Sequence, residues 1–66
     1  MDGKIKNIND EKNFGFILAE DGEDYFFHRS SLDNDSDWSR LKKNTDVCFE
    51  PTNNPKGLRA EGVILI

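Results

Sequence analysis

Cysteine occurs once, at Cys48, and histidine once, at His28. A lone thiol closes no internal disulfide, so the fold must stand on packing, and a reducing compartment, the cytoplasm, is the expected location. One cysteine and one histidine also fall short of the ligand set of a structural zinc site, and no metal or cofactor is expected. Long apolar runs are missing: the longest, Val63 to Ile66, is far below the ~20 residues that cross a bilayer, so no membrane contact is expected of this segment. The chain does not open on a basic stretch followed by an apolar one, and nothing signals a secretory leader. Repeats, low-complexity tracts and any sustained 3.6-residue period are absent too, so a long helix is not expected.

What the chain does contain is enough for one small folding unit. Leu, Ile, Val and Phe supply 17 of the 66 residues, about a quarter, which is above the level at which disorder becomes the default. The abrupt ending on Val-Ile-Leu-Ile leaves open that residues 1–66 are the N-terminal part of a longer protein. Net charge is −4, which taken alone argues against a nucleic-acid partner. Placement reverses that inference. Nine of the 13 acids fall in three stretches, Asp10-Glu11, Glu20 to Asp24 and Asp33 to Asp37, each carrying or adjoining Gly, Asn or Ser and expected to be a turn. Lys4, Lys6, Lys12, Arg29, Lys56 and Arg59 instead lie within or beside segments rich in apolar and aromatic residues.

Five segments read as strands: Lys4 to Ile8, Phe14 to Ala19, Asp24 to His28, Asp46 to Glu50 and Arg59 to Leu65. Asp21-Gly22 can close a tight hairpin between the second and third, while Asn53 to Gly57, with Pro55, reads as a loop between the last two. Ser30 to Asp33 can cap one helical turn. At this size a sandwich is hard to build, so the expected architecture is all-β, a closed or nearly closed five-stranded antiparallel small barrel. Alternation puts Phe14, Phe16 and Leu18 on one face and Gly15, Ile17 and Ala19 on the other. It likewise sets Phe26 and His28 against Tyr25 and Phe27, and histidine's preference for water turns Phe26 and His28 outward. Alternation alone leaves Phe14 and Phe16 open between core and surface; outward is the expectation.

Outward phenylalanines one residue apart, flanked by lysine, are costly in water unless something planar and charged covers them. Single-stranded nucleic acid fits: bases stack on rings at ~1–3 kcal/mol each, and ammonium groups meet phosphates. Lys12-Asn13-Phe14-Gly15-Phe16-Ile17 follows the ribonucleoprotein pattern K/R-G-F/Y-G/A-F-V, with Asn for the first Gly and Ile for Val. Gly15 keeps the inward side of that strand thin, which helps it bend. With GKIKNINDEKNFGFI, DYFFH and KGLRAEGV in this order and spacing, nearly the whole chain resembles a bacterial cold-shock domain, which implies a five-stranded barrel of the oligonucleotide-binding (OB-fold) type. The resemblance implies that Phe14, Phe16, Phe26 and His28 stack on bases, that Lys6, Lys12 and Lys56 contact the backbone, and that Trp38 completes the platform.

Departures from the family pattern matter as much. Asn7 and Ile8 stand where the family usually carries tryptophan and phenylalanine, so one stacking plane is missing. Arg29 replaces a common aromatic with a planar cation that can stack or pair with a phosphate, and Leu58-Arg59 replaces part of a Gly-Pro-Gln region. The expected binding residues are therefore Lys6, Lys12, Phe14, Phe16, Phe26, His28, Arg29, Trp38, Lys56 and Arg59. Plainer readings stand beside several of them: Trp38 as a cover for the open end of the barrel, Lys56 and Arg59 as solubilising charges, and Arg40, Lys42 and Lys43 as a solvated loop face.

Chemistry of other kinds finds little support. His28 beside Ser30 and Ser31 lacks the third group and oxyanion hole of a hydrolytic triad, so no enzyme is expected. Asp33-x-Asp35-x-Asp37 opens like a calcium loop, but Trp38 replaces its glycine and Asn44 its closing glutamate. Asn34-Asp35-Ser36 fits a glycosylation acceptor without any other sign of secretion. The expected function is low-specificity binding of single-stranded RNA or DNA by a monomer, in the manner of an RNA chaperone. A diverged protein-interaction module on the same barrel is the alternative.

Overall fold

A computed structural model describes residues 1–33 and 38–66 of the chain. The Asn34-Asp35-Ser36 triplet and most of the Asp33-x-Asp35-x-Asp37 run lie outside the described residues. Five strands form a closed barrel: β1 Asp2–Asn9, β2 Phe14–Ala19, β3 Asp24–His28, β4 Asp46–Asn54 and β5 Gly57–Leu65, in the order β1-β2-β3-β5-β4. All neighbours are antiparallel except β3 and β5, which run parallel at Phe26 and Arg59. The antiparallel expectation is corrected by parity alone. Directions cannot alternate around a ring with an odd number of strands, so a closed five-stranded barrel must contain a parallel seam.

Alternation follows the residues closely. In β2 the inward positions are Gly15, Ile17 and Ala19, and in β3 they are Tyr25 and Phe27. Ile17, Ala19, Tyr25 and Phe27 join Ile5, Trp38, Leu41, Val47, Phe49, Ala60 and Val63 in one continuous core. Gly15 is required at its position because a Cβ there would come within 2.6 Å of the Asn7 carbonyl oxygen and 2.9 Å of the Phe27 ring. β1 carries an irregularity between Ile5 and Asn7 that leaves both Lys6 and Asn7 exposed, which breaks simple alternation.

Turn chemistry accounts for the hairpins. Gly22 takes a φ of 85° between β2 and β3, and Asp21 accepts hydrogen bonds from the Glu23 amide (2.9 Å) and the Tyr25 hydroxyl (2.8 Å). Those two donors hold the Asp21 carboxyl below its ordinary range, the Glu23 amide contributing most, and the same contact to Asp21 raises the Tyr25 phenol. The loop expected over Asn53 to Gly57 is shorter than that. β4 runs to Asn54 and β5 starts at Gly57, whose φ of 123° lets a tight turn at Pro55-Lys56 join them. Pro55 thus falls in the turn itself, where its missing amide proton costs the ladder nothing.

The single helical turn also begins earlier than expected, at Arg29–Ser31, with His28 as its cap. A second short turn, Trp38–Arg40, precedes the segment that leads into β4.

Candidate nucleic-acid interface

Phe14 and Phe16 leave β2 on its outer face, and cross-strand pairing sets Phe16 opposite Phe26 and Phe14 opposite His28. The three rings form a triangle. Centroids lie 6.1 Å apart for Phe14 and Phe16, 5.6 Å for Phe14 and Phe26, and 5.8 Å for Phe16 and Phe26. Edge-on and tilted contacts support the rings while leaving them only half-buried, so each keeps some apolar surface exposed.

His28 is fixed by its own chain. Its Nδ1 accepts the Ser30 amide at 3.1 Å and lies 3.0 Å from Ser30 Oγ. An Nδ1 that accepts cannot carry the proton of the neutral ring, so Nε2 carries it and is the atom with a donor to offer.

The cations divide into two groups. Lys12, Arg29 and Lys56 are exposed, and no described ion pair holds their charged ends. Lys6, by contrast, is bound to Asp24 at 2.7 Å, and Arg59 Nε lies 2.8 Å from Glu61 Oε1. Arg59 also places its guanidinium 5.8 Å from the centre of the Phe26 ring. The parallel seam explains this reach, since it seats Arg59 directly beside Phe26. Arg59 therefore joins the aromatic patch as a planar cation. With Phe16, Phe26, Asn54, Lys56 and Leu58 it lines a niche of about 330 Å³ beside the rings. Asn54 and Leu58 are not among the binding residues expected from the sequence; the tight β4–β5 turn brings them there.

Trp38 departs from the expectation of a platform ring. It is 7% exposed, packs its indole 5.8 Å from Phe27, and donates Nε1–H to Asp10 Oδ1 at 3.2 Å. The indole belongs to the core and leaves little of its surface for a base.

Asn7 lies opposite Phe16 on the outer face, where the missing ring would have stood. Asn7→Trp is therefore expected to add a stacking plane and tighten oligothymidine binding by ~1–3 kcal/mol, about fivefold to a hundredfold, with no change in salt slope. Calorimetric titration would measure it; unchanged affinity would show that the strand does not pass over this part of β1.

Residues 1–66 match the family model described as the 'Cold-shock' DNA-binding domain. The cold shock protein CapB of Pseudomonas syringae pv. tomato is 41% identical over 64 residues, spanning 97% of this chain and 91% of the relative. The cold shock-like protein CspB of Bacillus cereus is 40% identical over 63 residues, with 96% and 95% covered. The cold shock-like protein CspA of Stigmatella aurantiaca is 44% identical over 62 residues, with 92% and 90% covered.

Proposed function

The chain belongs to the cold-shock domain family, and from that premise we propose that its barrel binds single-stranded RNA or DNA with low sequence preference. Bases stack on Phe14, Phe16 and Phe26, and His28 extends the row. Lys12, Arg29 and Lys56 meet phosphates, while Lys6 and Arg59 exchange their carboxylate partners for phosphate when the strand arrives. Trp38 contributes to the fold that holds the rings and not to stacking. The observation that carries this reading is the outward triangle of phenylalanine rings on a barrel whose Lys12, Arg29 and Lys56 are exposed and have no ion pair among the described residues.

Binding of this kind acts on the nucleic acid by linkage. A protein that takes only unpaired bases shifts the balance between folded and open strands, melting weak structure without hydrolysing a nucleotide, which is the work of an RNA chaperone. Every base has a π-face, so stacking tolerates sequence. The loss of one ring at Asn7 sets affinity below that of a site with the full row.

Amide chemical-shift mapping with a short oligothymidine tests the proposal. Phe14, Phe16, Phe26 and His28 are expected to move together, and log affinity is expected to fall with log salt at a slope of about −2 to −3.5, as for roughly 3–5 phosphates contacted. Shifts confined to the acidic turns, or indifference to added oligonucleotide, would favour a protein-interaction surface instead.

A further inference from the structure

We propose that a lysine-lined groove beyond Phe16, between β1 and the turn before β4, carries the same single strand onward by its phosphates. This rests on the stacking function proposed above and extends its footprint. The groove has a volume of about 510 Å³ and is lined by Lys4, Lys6, Asn7, Leu18, Lys43 and Asn44, among others. That volume falls within the ~300–1,000 Å³ range of clefts that hold ligands.

The geometry is built, and Lys43 owes its place to it. The Asn44 amide donates to the Ile5 carbonyl at 2.7 Å, and the Ile5 amide donates to the Thr45 carbonyl at 2.9 Å. Within the turn, the Thr45 amide donates to the Lys42 carbonyl and the Lys42 amide to Thr45 Oγ1, each at 3.0 Å. Asn44 takes a φ of 73°, the left-handed conformation that asparagine tolerates best among residues with a side chain. A turn pinned to β1 in this way brings Lys43 beside Lys4 and Lys6, two residues remote from it in sequence.

Continuity with the rings comes from the sheet. Asn7 is paired with Phe16, and Leu18 follows Phe16 on the same outward face and is 47% exposed. A strand leaving Phe16 over Leu18 would meet lysines on both sides. Lys4 holds Asp46 at 2.8 Å and Lys6 holds Asp24 at 2.7 Å, both as solvent-exposed pairs that a phosphate can displace, because exposed ion pairs are weak. Lys43 has no ion pair among the described residues and is free to meet a phosphate at once. Charge complementarity and this continuity select a polynucleotide backbone as the occupant.

An oligomer of about five thymidines is compared with the same oligomer carrying about four abasic sugar–phosphates at one end or the other, lengths within the site size of such barrels. Abasic units add phosphates without bases, so they add no stacking and no alternative registers. One extended oligomer is expected to bind tighter than the pentamer and to show a steeper salt slope. Lys43→Gln is expected to reduce that extended slope by about 0.7, which shrinks the ratio of affinities at about 50 mM and 200 mM salt roughly 2.6-fold, while the pentamer keeps its slope. Lys4→Gln combined with Lys43→Gln should remove about 1.4.

Equal affinity for plain and extended oligomers, or a Lys43→Gln effect of the same size on both, overturns the groove while leaving the rings as the binding surface. Failure of the pentamer itself to bind overturns the stacking function and the groove together. Denaturation midpoints of the variants equal to the wild type separate these outcomes from loss of fold.

Discussion

Phe27→Ala is expected to cost about 3–5 kcal/mol and to leave most of the protein unfolded at room temperature. Its ring is fully buried, 5.8 Å from Trp38, and it fills the space that Gly15 leaves open beneath β2. Truncation to alanine removes the transfer energy of the ring and leaves a cavity that neighbours cannot readily fill, since the strand above is held in register on both sides. A domain of this size has about 3–10 kcal/mol in total, so the loss consumes much or all of it. Urea denaturation followed by far-ultraviolet circular dichroism measures the effect without relying on Trp38, whose surroundings the substitution changes. A midpoint close to that of the wild type would mean that the core does not depend on this ring.

Phe26, its neighbour in sequence, has the opposite role, and the two were separable from residues alone because a strand has a period of two. The single histidine supplied the phase: His28 prefers water, so Phe26 faces out and Phe27 in. The same argument was weaker for β2, where no polar residue marks a side, and there Gly15 is the deciding feature, since only an inward position crowded by the Asn7 carbonyl and the Phe27 ring demands the absence of a Cβ. Five strands were likewise legible from β-branched and aromatic segments between turn residues.

Features that depend on contacts between distant segments were not legible. Trp38 looks like a loop aromatic in the sequence, yet it is buried in the core against Phe27 and bonded to Asp10, 28 residues earlier, contacts that no local pattern encodes. Arg59 is one cation among nine until the parallel seam seats it beside Phe26. The extra length of β4 and β5 comes from ladder partners: Asn53 and Asn54 are poor strand formers on propensity, and the pairing of Asn53 with Leu58 and Asn54 with Gly57 overrides it. Lysines at 42 and 43 read as a solvated face because nothing in their neighbourhood reports that the turn is tied to Ile5.

The double substitution Phe14→Ala with Phe26→Ala is expected to weaken single-strand binding by about 2–6 kcal/mol, roughly 30-fold to 2 × 10⁴-fold, while the domain remains folded. Each ring offers one stacking surface, which sets the lower and upper limits. The sum of the single losses should differ from the double loss, because the two rings lie 5.6 Å apart at an angle of 36° and each holds the other in place. Removing Phe26 also strips Arg59 of the ring beneath its guanidinium, but the ion pair to Glu61 remains to hold the side chain. No phosphate contact is lost in either variant, so the salt slope should stay that of the wild type even as affinity collapses. Lys12→Gln should do the reverse, lowering the slope by about 0.7 with little loss of affinity at high salt, where the electrostatic contribution is already screened. Calorimetric titrations of a short oligothymidine at several salt concentrations resolve the two effects. A folded double variant that binds as tightly as the wild type would show that the rings are not where the bases stack.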